Sequence, residues 1–129
     1  MANELTLSVG ASYRYPGSGT ALTQDPAWIP SQTLLVTQSA RGMDGGERII
    51  GTSEENIAFT DITTNGYFWI QHVDSANTVD VGYDDSSVIR ALITLAAGQI
   101  AVFPIKAGRV IRAIASGGNV RIKFKVLNA

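Results

Sequence analysis

The fold is decided by residues 66–127, which read GYFWIQHVDSANTVDVGYDDSSVIRALITLAAGQIAVFPIKAGRVIRAIASGGNVRIKFKVL. Six apolar segments of strand length follow one another in this stretch, at residues 67–73, 78–83, 88–95, 99–105, 109–115 and 120–127. Turn-forming Asp, Ser, Asn and Gly residues separate them. Short strands at this spacing, without a helical period between them, predict a β-meander in an all-β protein, an antiparallel sandwich or barrel.

The clearest alternation of the chain lies near its start. Apolar residues alternate there with small or polar ones and predict a strand with one apolar face, at Leu5, Leu7, Val9, Ala11, Tyr13 and Tyr15. The period stops at Pro16, and residues 16–30 predict an irregular arm or long loop bounded by proline and glycine. Two interpretations of this arm are open. Either Trp28 plugs an edge of its own domain's core, or the arm carries Trp28 and Ile29 to a neighbouring subunit.

Strand and loop signals alternate between residues 33 and 62. Residues 33–38, 47–50 and 56–62 each predict a strand. The glycine-rich segment 40–46 predicts a mobile surface loop. Because it lacks the Lys-Ser/Thr ending and the following helix of a phosphate-binding loop, a nucleotide site is not expected. Asn65 and Gly66 then form the turn that leads into residues 66–127.

The composition is that of one folded domain spanning residues 1–129. Hydrophobic residues make up 45% and charged residues 16% of the chain, which is enough to bury a core without disulfides or metal. The absence of cysteine excludes a disulfide framework and thiolate metal sites. The first residues lack the pattern of a signal peptide, and no apolar run approaches a membrane span. We therefore expect a soluble protein made inside the cell, with no membrane partner.

Formal charge is divided unevenly along the chain. All eleven acids lie at or before Asp85 together with three arginines, a formal charge of −8. The seven later cations have no acid among them and carry +7. Such a division is typical of a nucleic-acid face, but it also fits two parts that are neighbours in space or across a subunit contact. We favour neighbours, and expect no nucleic-acid partner, because no aromatic stacking platform accompanies the cations.

Residues able to carry out catalysis are sparse. His72 is the only histidine and shares the parity of the apolar residues 68 and 70, which predicts a packed, hydrogen-bonded core residue. Asp80, Asp84 and Asp85 are close enough in sequence for acid–base chemistry on sugars or for a calcium site, but acidic turns are common in surface loops. The sequence therefore predicts no enzyme, and it assigns no catalytic, cofactor-binding or metal-binding residue.

Strands that are apolar on both faces predict an interface. Residues 67–70 and 100–105 have this pattern, whereas residues 120–127 alternate between apolar residues and Arg121, Lys123 and Lys125. A strand that needs cover on both sides in so small a domain indicates contact with a partner or with a loop. The residues that we predict at an interface are Tyr13, Tyr15, Trp28, Ile29, Arg41, Met43, Tyr67 and Trp69.

Two segments of the chain resemble small structural proteins of tailed bacteriophages. Residues 66–82, GYFWIQHVDSANTVDVG, are similar to a strand, an Asp-containing turn and a Val-x-Val-Gly stretch in these proteins. Residues 95–113, LAAGQIAVFPIKAGRVIRA, resemble the hairpin that follows there, which has a Leu-x-x-Gly turn, an apolar strand and a second glycine turn. The resemblance implies a compact, jelly-roll-like β-sandwich that serves as a capsid decoration or cement protein, often as a trimer.

The function implied by this resemblance is structural and non-enzymatic. The protein would be made in the host cytoplasm and located in the virion, on the capsid surface, as a homotrimer bound to the major capsid protein, with no cofactor. A tail, neck or fibre component of the same fold is an alternative, which would be present in few copies per particle. A second alternative is a carbohydrate- or nucleic-acid-binding module. Tyr67, Trp69 and the basic strand would form its binding face.

Overall fold

The computed structural model describes residues 3–11, 29–38, 43–59, 65–106 and 108–128. The chain divides into two compact units, residues 1–38 and 39–129. Whether the whole chain behaves as one domain stays a prediction. The described residues contain ten strands, which are β1 (Asn3–Ala11), β2 (Ile29–Gln38), β3 (Met43–Ile50), β4 (Glu55–Ile57), β5 (Asn65–His72), β6 (Thr78–Asp85), β7 (Val88–Ala96), β8 (Ile100–Pro104), β9 (Ile111–Ser116) and β10 (Val120–Asn128).

The first unit contains a two-stranded antiparallel sheet. Strand β1 pairs with β2 from Asn3 opposite Gln38 to Ala11 opposite Ile29, with an irregularity next to Ala11. The prediction that residues 16–30 are irregular was therefore wrong at Ile29 and Pro30, which belong to β2. Pro30 lies where the register is irregular, a position that tolerates a residue without an N–H donor. The rest of the predicted arm lies outside the described residues.

The second unit contains two antiparallel sheets of four strands each. One sheet has the order β3-β10-β5-β8 and the other the order β4-β9-β6-β7. Buried residues from both sheets form one apolar core, which confirms the predicted all-β class and the sandwich of antiparallel sheets. The jelly-roll subtype stays a prediction.

Four phenylalanine side chains cluster in and against this core. Phe68 on β5 is fully buried, and its ring centroid lies 5.4 Å from that of Phe103 and 6.2 Å from that of Phe124. Phe59 follows β4 and lies 5.8 Å from Phe68. The rings of Phe59 and Phe103 are tilted against that of Phe68, and the ring of Phe124 is stacked on it. Aromatic pairs at these distances add a favourable quadrupole interaction to the burial of apolar area. The cluster joins strands of the β3-β10-β5-β8 sheet to the segment after β4.

The predicted meander was wrong in its strand order. Among the described strands of the second unit, only β6 and β7 are both consecutive in sequence and paired with each other. Strand β5 pairs with β8 and β10, and β9 pairs with β4 and β6. The chain crosses between the sheets at most of its turns. Turn residues specify a reversal of the chain but not the strand that becomes its neighbour, so the sequence pattern fits both arrangements.

Segment 43–46 is strand rather than the loop that its glycines predicted. Strand β3 begins at Met43 and pairs with β10 along its whole length. A Cβ atom on Gly45 would collide with the carbonyl oxygen of Phe124 and lie 3.0 Å from Cα of Lys125. Gly45 therefore permits a close approach of two strand backbones, which is a role of glycine inside sheets. The strand predicted at 56–62 is shorter in the structure, because β4 ends at Ile57.

Candidate interaction face

The outward side of the β3-β10-β5-β8 sheet, called the outer face below, carries the residues of interest. On β5 the side chains of Phe68, Ile70 and His72 are fully buried, whereas Tyr67 and Trp69 between them are half-buried and point the other way. This alternation follows from the period of two in a strand. Tyr67 and Trp69, both predicted at an interface, thus lie side by side on the outer face.

The cations of β10 lie next to these aromatic residues. Inward residues of β10 are buried, and Arg121, Lys123 and Lys125 are exposed on the other side. The register of the sheet places Trp69 opposite Lys125. Directly opposed side chains in an antiparallel pair have Cβ atoms about 5 Å apart, so the aromatic row and the basic row are in contact range. The structure therefore brings together Tyr67, Trp69 and the basic strand, as the ligand-binding alternative requires.

Strand β8 supplies an apolar border to the outer face. Ile100 is 55% and Val102 is 41% exposed, and Val102 lies opposite Trp69 in the register. Pro104 at the end of β8 is exposed and lies opposite Tyr67. The segments that are apolar on both faces thus bury one face in the core, and no other described strand of the second unit covers the opposite face. Contiguous exposed apolar residues of this kind mark interaction surfaces.

A groove with a volume of about 610 Å³ crosses the outer face between β3 and β5. Trp69 on β5 and the two lysines of β10, Lys123 and Lys125, belong to its lining. On the β3 side Gly45 and Gly46 contribute backbone only, so no side chain fills the space opposite Lys125. Asp44, Glu47 and Phe124 complete the lining. This groove was not predicted, because the missing side chains at 45 and 46 were interpreted as a loop signal.

Ion pairs explain the uneven charge along the chain. Among the described residues, five of the six salt bridges join an acid at or before Asp85 to a later arginine. The partners are Arg112 with Glu54 and Asp84, Arg121 with Glu47 and Asp74, and Arg90 with Asp85. The prediction that the acidic and basic parts are neighbours in space is therefore confirmed within one subunit.

Two cations of the outer face take no part in these ion pairs. Lys123 and Lys125 are exposed, and neither makes a salt bridge with any residue whose side chain the structure describes. Glu47 lies opposite Lys123 in the register, but its Oε1 atom is 3.3 Å from Nη1 of Arg121. The groove beside Trp69 therefore contains two ammonium groups that have no carboxylate partner there.

Of the remaining predicted interface residues, only Met43 and Ile29 lie among the described residues. Met43 starts β3 and pairs with Leu127 at the end of the sheet, and its side chain is not among those described. Ile29 belongs to the first unit, in β2. Tyr13, Tyr15, Trp28 and Arg41 lie outside the described residues.

His72 is packed as predicted but is not hydrogen-bonded by its side chain. It is fully buried beside Ile122 of β10 in the register. Neither ring nitrogen has a partner in the described part of the chain, so the prediction of a hydrogen-bonded imidazole was wrong. Backbone groups of His72 are satisfied instead, since its N–H donates to Gln99 and its carbonyl accepts from Gly98. At this position the imidazole ring is buried in the core although its two nitrogens lack hydrogen-bond partners among the described residues.

The three aspartates considered for sugar chemistry or calcium have separate partners. Asp80 accepts a 2.6 Å hydrogen bond from Thr94, Asp84 a 2.9 Å hydrogen bond from Arg112 and Asp85 a 2.8 Å hydrogen bond from Arg90. The hydrogen bond and the charge of Asp85 raise the pKa of the Arg90 guanidinium. Across the described ranges, no three His, Cys, Asp or Glu side chains are grouped so as to hold a metal ion.

A second cavity, of about 300 Å³, lies near the turn before β9. Apolar residues such as Leu92, Phe103 and Ile111 line most of it, and the Arg109 guanidinium carbon lies 5.2 Å from the centre of the Tyr83 ring at its border. No sequence signal pointed to this cavity.

Among the described residues there is no helix of the length and apolarity that spanning a membrane requires. No protein-family model matches the chain, and no curated protein matches it either.

Proposed function

We propose that this chain is a non-enzymatic structural protein of a bacteriophage virion that binds the outside of the capsid through the outer face and stabilises the shell. The observation that carries the proposal is the exposed outer face itself, on which Trp69, Val102 and Lys125 lie in one row across three strands. Aromatic and aliphatic residues dominate the free energy of protein interfaces, and exposed cations steer and orient the partner.

The proposed function requires a rigid surface rather than a reactive one. Trp69 projects from a sheet whose opposite side is packed into the core by Phe68 and Ile70, so little conformational entropy is lost when a partner binds. A protein that binds the assembled shell, but not its dissociated subunits, stabilises the shell by the free energy of binding. When three subunits bind the shell together as one homotrimer, the weak contacts of the single subunits combine to give strong attachment to the major capsid protein.

Co-sedimentation with phage shells tests the proposal. The purified chain is mixed with expanded and with unexpanded shells of the phage that encodes it, and its own mass is measured by light scattering. We expect a mass of three times the 13.7 kDa chain and binding to expanded shells only. A monomer that sediments with neither kind of shell contradicts the proposal. A few copies per virion, counted by quantitative mass spectrometry, would favour the tail, neck or fibre role.

A matched pair of valine substitutions tests whether the outer face makes the contact. Val102→Ser removes an exposed apolar group next to Trp69, whereas Val88→Ser makes the same change at an exposed position of β7 in the other sheet. Shell binding should weaken with Val102→Ser and persist with Val88→Ser. Equal effects of both substitutions would remove the outer face from the proposal.

Ligand binding by the same face is the second candidate function. One observation favours it: the register places Trp69 opposite the unpaired Lys125, within contact range. Aromatic rings stack on sugars and bases, and ammonium groups attract phosphate or sulfate. Titration with sulfated oligosaccharides and with single-stranded oligonucleotides tests it. Binding of either at physiological salt, with no binding to shells, would replace the capsid role.

A further inference from the structure

We infer that the groove beside Trp69 binds an extended acidic segment of a partner protein, in which two carboxylates two residues apart pair with Lys123 and Lys125. The inference rests on the proposed attachment through the outer face and names the chemistry of the partner at that face. Four observations support it: the unpaired charge of the two lysines, their spacing along β10, the open space on the β3 side and the residues that line the groove.

Charge selects an anionic occupant. Of the three cations that β10 presents on the outer face, Arg121 is held between Glu47, at 3.3 Å, and Asp74, at 3.5 Å. Its backbone N–H also donates a 2.6 Å hydrogen bond to Asp74. Lys123 and Lys125 have no such carboxylates among the side chains that are described. An acidic partner would therefore find these two ammonium groups available without breaking an existing pair.

Spacing selects an extended occupant. Lys123 and Lys125 are two residues apart on one face of a strand, so their Cα atoms are separated by about 6.8 Å along β10. An extended segment that runs along β10 repeats its side chains with the same period. Carboxylates at alternate positions of that segment can therefore meet both ammonium groups at once. Carboxylates on a helix, three or four residues apart, are neighbours at about 5–6 Å and match this spacing less well.

Room for such a segment exists on the β3 side of the lysines. Gly45 is directly opposite Lys125, and the close approach of β10 leaves no space for a side chain at that position. The groove is thus kept open by the packing of the sheet itself. On the opposite side Trp69 forms an apolar wall that continues into Val102.

The lining favours a protein segment over a polyanion. Nucleic acid and sulfated polysaccharide carry closely spaced negative charges along their whole length, and they bind through many cations. The groove offers two unpaired lysines, and the acidic residues Asp44 and Glu47 also belong to its lining. A protein segment that carries two carboxylates and otherwise apolar or neutral groups has less charge for these acids to repel, and it covers the half-buried Trp69 and the exposed Val102.

A fluorescence titration of the full chain tests the inference. Trp28→Phe leaves Trp69 as the single tryptophan and so as a reporter at the groove. The probes are three eight-residue peptides with blocked ends: one that alternates Glu with Ser, one with four consecutive Glu followed by four Ser, and one that alternates Gln with Ser. We expect the emission of Trp69 to change with the alternating acidic peptide, to change less with the block peptide and to be unaffected by the neutral one.

Substitution of the lysines provides the control. Lys123→Gln/Lys125→Gln keeps side-chain length and removes both charges, and we expect it to weaken binding of the alternating peptide by about 2- to 30-fold, the range of two exposed ion pairs. Lys106→Gln removes an exposed charge that does not line the groove and should leave binding unchanged. Absence of any response to the alternating peptide, or equal binding by the double variant, overturns the inference. Tighter binding of an oligonucleotide or a sulfated oligosaccharide than of the peptide overturns it as well.

Shell co-sedimentation with the same variants separates this inference from the proposed function. If the double variant binds shells as the unsubstituted chain does, and no acidic peptide binds, the groove assignment is wrong while the capsid role stands. If the alternating peptide binds and neither chain sediments with shells, the capsid role is wrong while the groove assignment stands. Loss of both peptide and shell binding in the double variant alone supports the two together.

Discussion

Arg112 donates a 2.9 Å hydrogen bond from Nη1 to Oδ1 of Asp84, and so ties the strand β9 to the end of β6. The same Nη1 lies 3.2 Å from Oε2 of Glu54, which in turn accepts a hydrogen bond from the backbone N–H of Ile89 on β7. The Arg112 side chain is only 13% exposed. One guanidinium thus connects three strands and the segment before β4.

Removal of this guanidinium should destabilise the fold. We expect Arg112→Met to lower the free energy of unfolding by about 2–3 kcal/mol, because it leaves two partly buried carboxylates without their partner. Arg90→Met is the control, since the Arg90–Asp85 pair is exposed and an exposed ion pair adds little to stability. Urea unfolding of both variants measures the difference. Equal midpoints would mean that the Arg112 cluster contributes nothing beyond a surface pair.

The two adjacent glycines of β3 should differ in their tolerance of a methyl group. Gly45→Ala should cost about 1–3 kcal/mol, as overpacking does, because the new Cβ meets the backbone of Phe124 and Lys125. Gly46→Ala has no atom within 4 Å of the new Cβ and should be neutral or stabilise by up to about 1 kcal/mol. Thermal unfolding of the two variants provides the comparison. Similar melting temperatures would contradict the close pairing of β3 with β10.

His72 should be replaceable by an apolar residue without loss of stability. Its two ring nitrogens are buried and have no partner in the described part of the chain, and an unpaired buried polar group costs about 1–3 kcal/mol. We expect His72→Leu to be at least as stable as the unsubstituted chain at neutral pH, with a gain of about 1 kcal/mol. A denaturant titration gives the value. A loss above 2 kcal/mol would reveal a polar partner of the imidazole.

Shell attachment should depend on salt through two residues. All the described ion pairs form within one subunit, and none of them involves Lys123 or Lys125. These two lysines should therefore carry most of the salt dependence of binding to the shell. Raising ionic strength from about 0.01 M to about 0.15 M shortens the Debye length from about 30 Å to about 8 Å. Co-sedimentation of the unsubstituted chain should weaken over this range, and that of Lys123→Gln/Lys125→Gln should change little. Salt-independent binding of both proteins would indicate a purely apolar contact.

The existence of most strands could be predicted from hydropathy alone. The segments expected at 88–95 and 120–127 agree within one residue with β7 and β10. Alternation also gave the direction of each side chain, which is why Tyr67 and Trp69 were correctly placed on the face opposite His72. A period of two depends only on the pleat of the strand itself.

Strand neighbours and the groove could not be predicted, because both depend on contacts between residues far apart in sequence. In the sequence alone Gly45 is typical of a loop. Only its pairing with β10 shows that it lies in a strand. Likewise, Lys123 and Arg121 look equivalent in the sequence. Only the long-range pairing of Arg121 with Glu47 and Asp74 distinguishes the occupied cation from the available one.

The position of β10 has a consequence for synthesis on the ribosome. It is the last of the ten strands to be translated, yet it lies between β3 and β5 in the middle of its sheet. Until β10 has left the exit tunnel, β3 has no hydrogen-bonding neighbour among the described strands, and the core around Ile50, Phe68 and Ile70 lacks the buried side chains of β10. Sheet closure through such distant contacts is slow and leaves the nascent chain open to aggregation. Productive folding is therefore a late event, in which the last strand joins β3 to the paired strands β5 and β8.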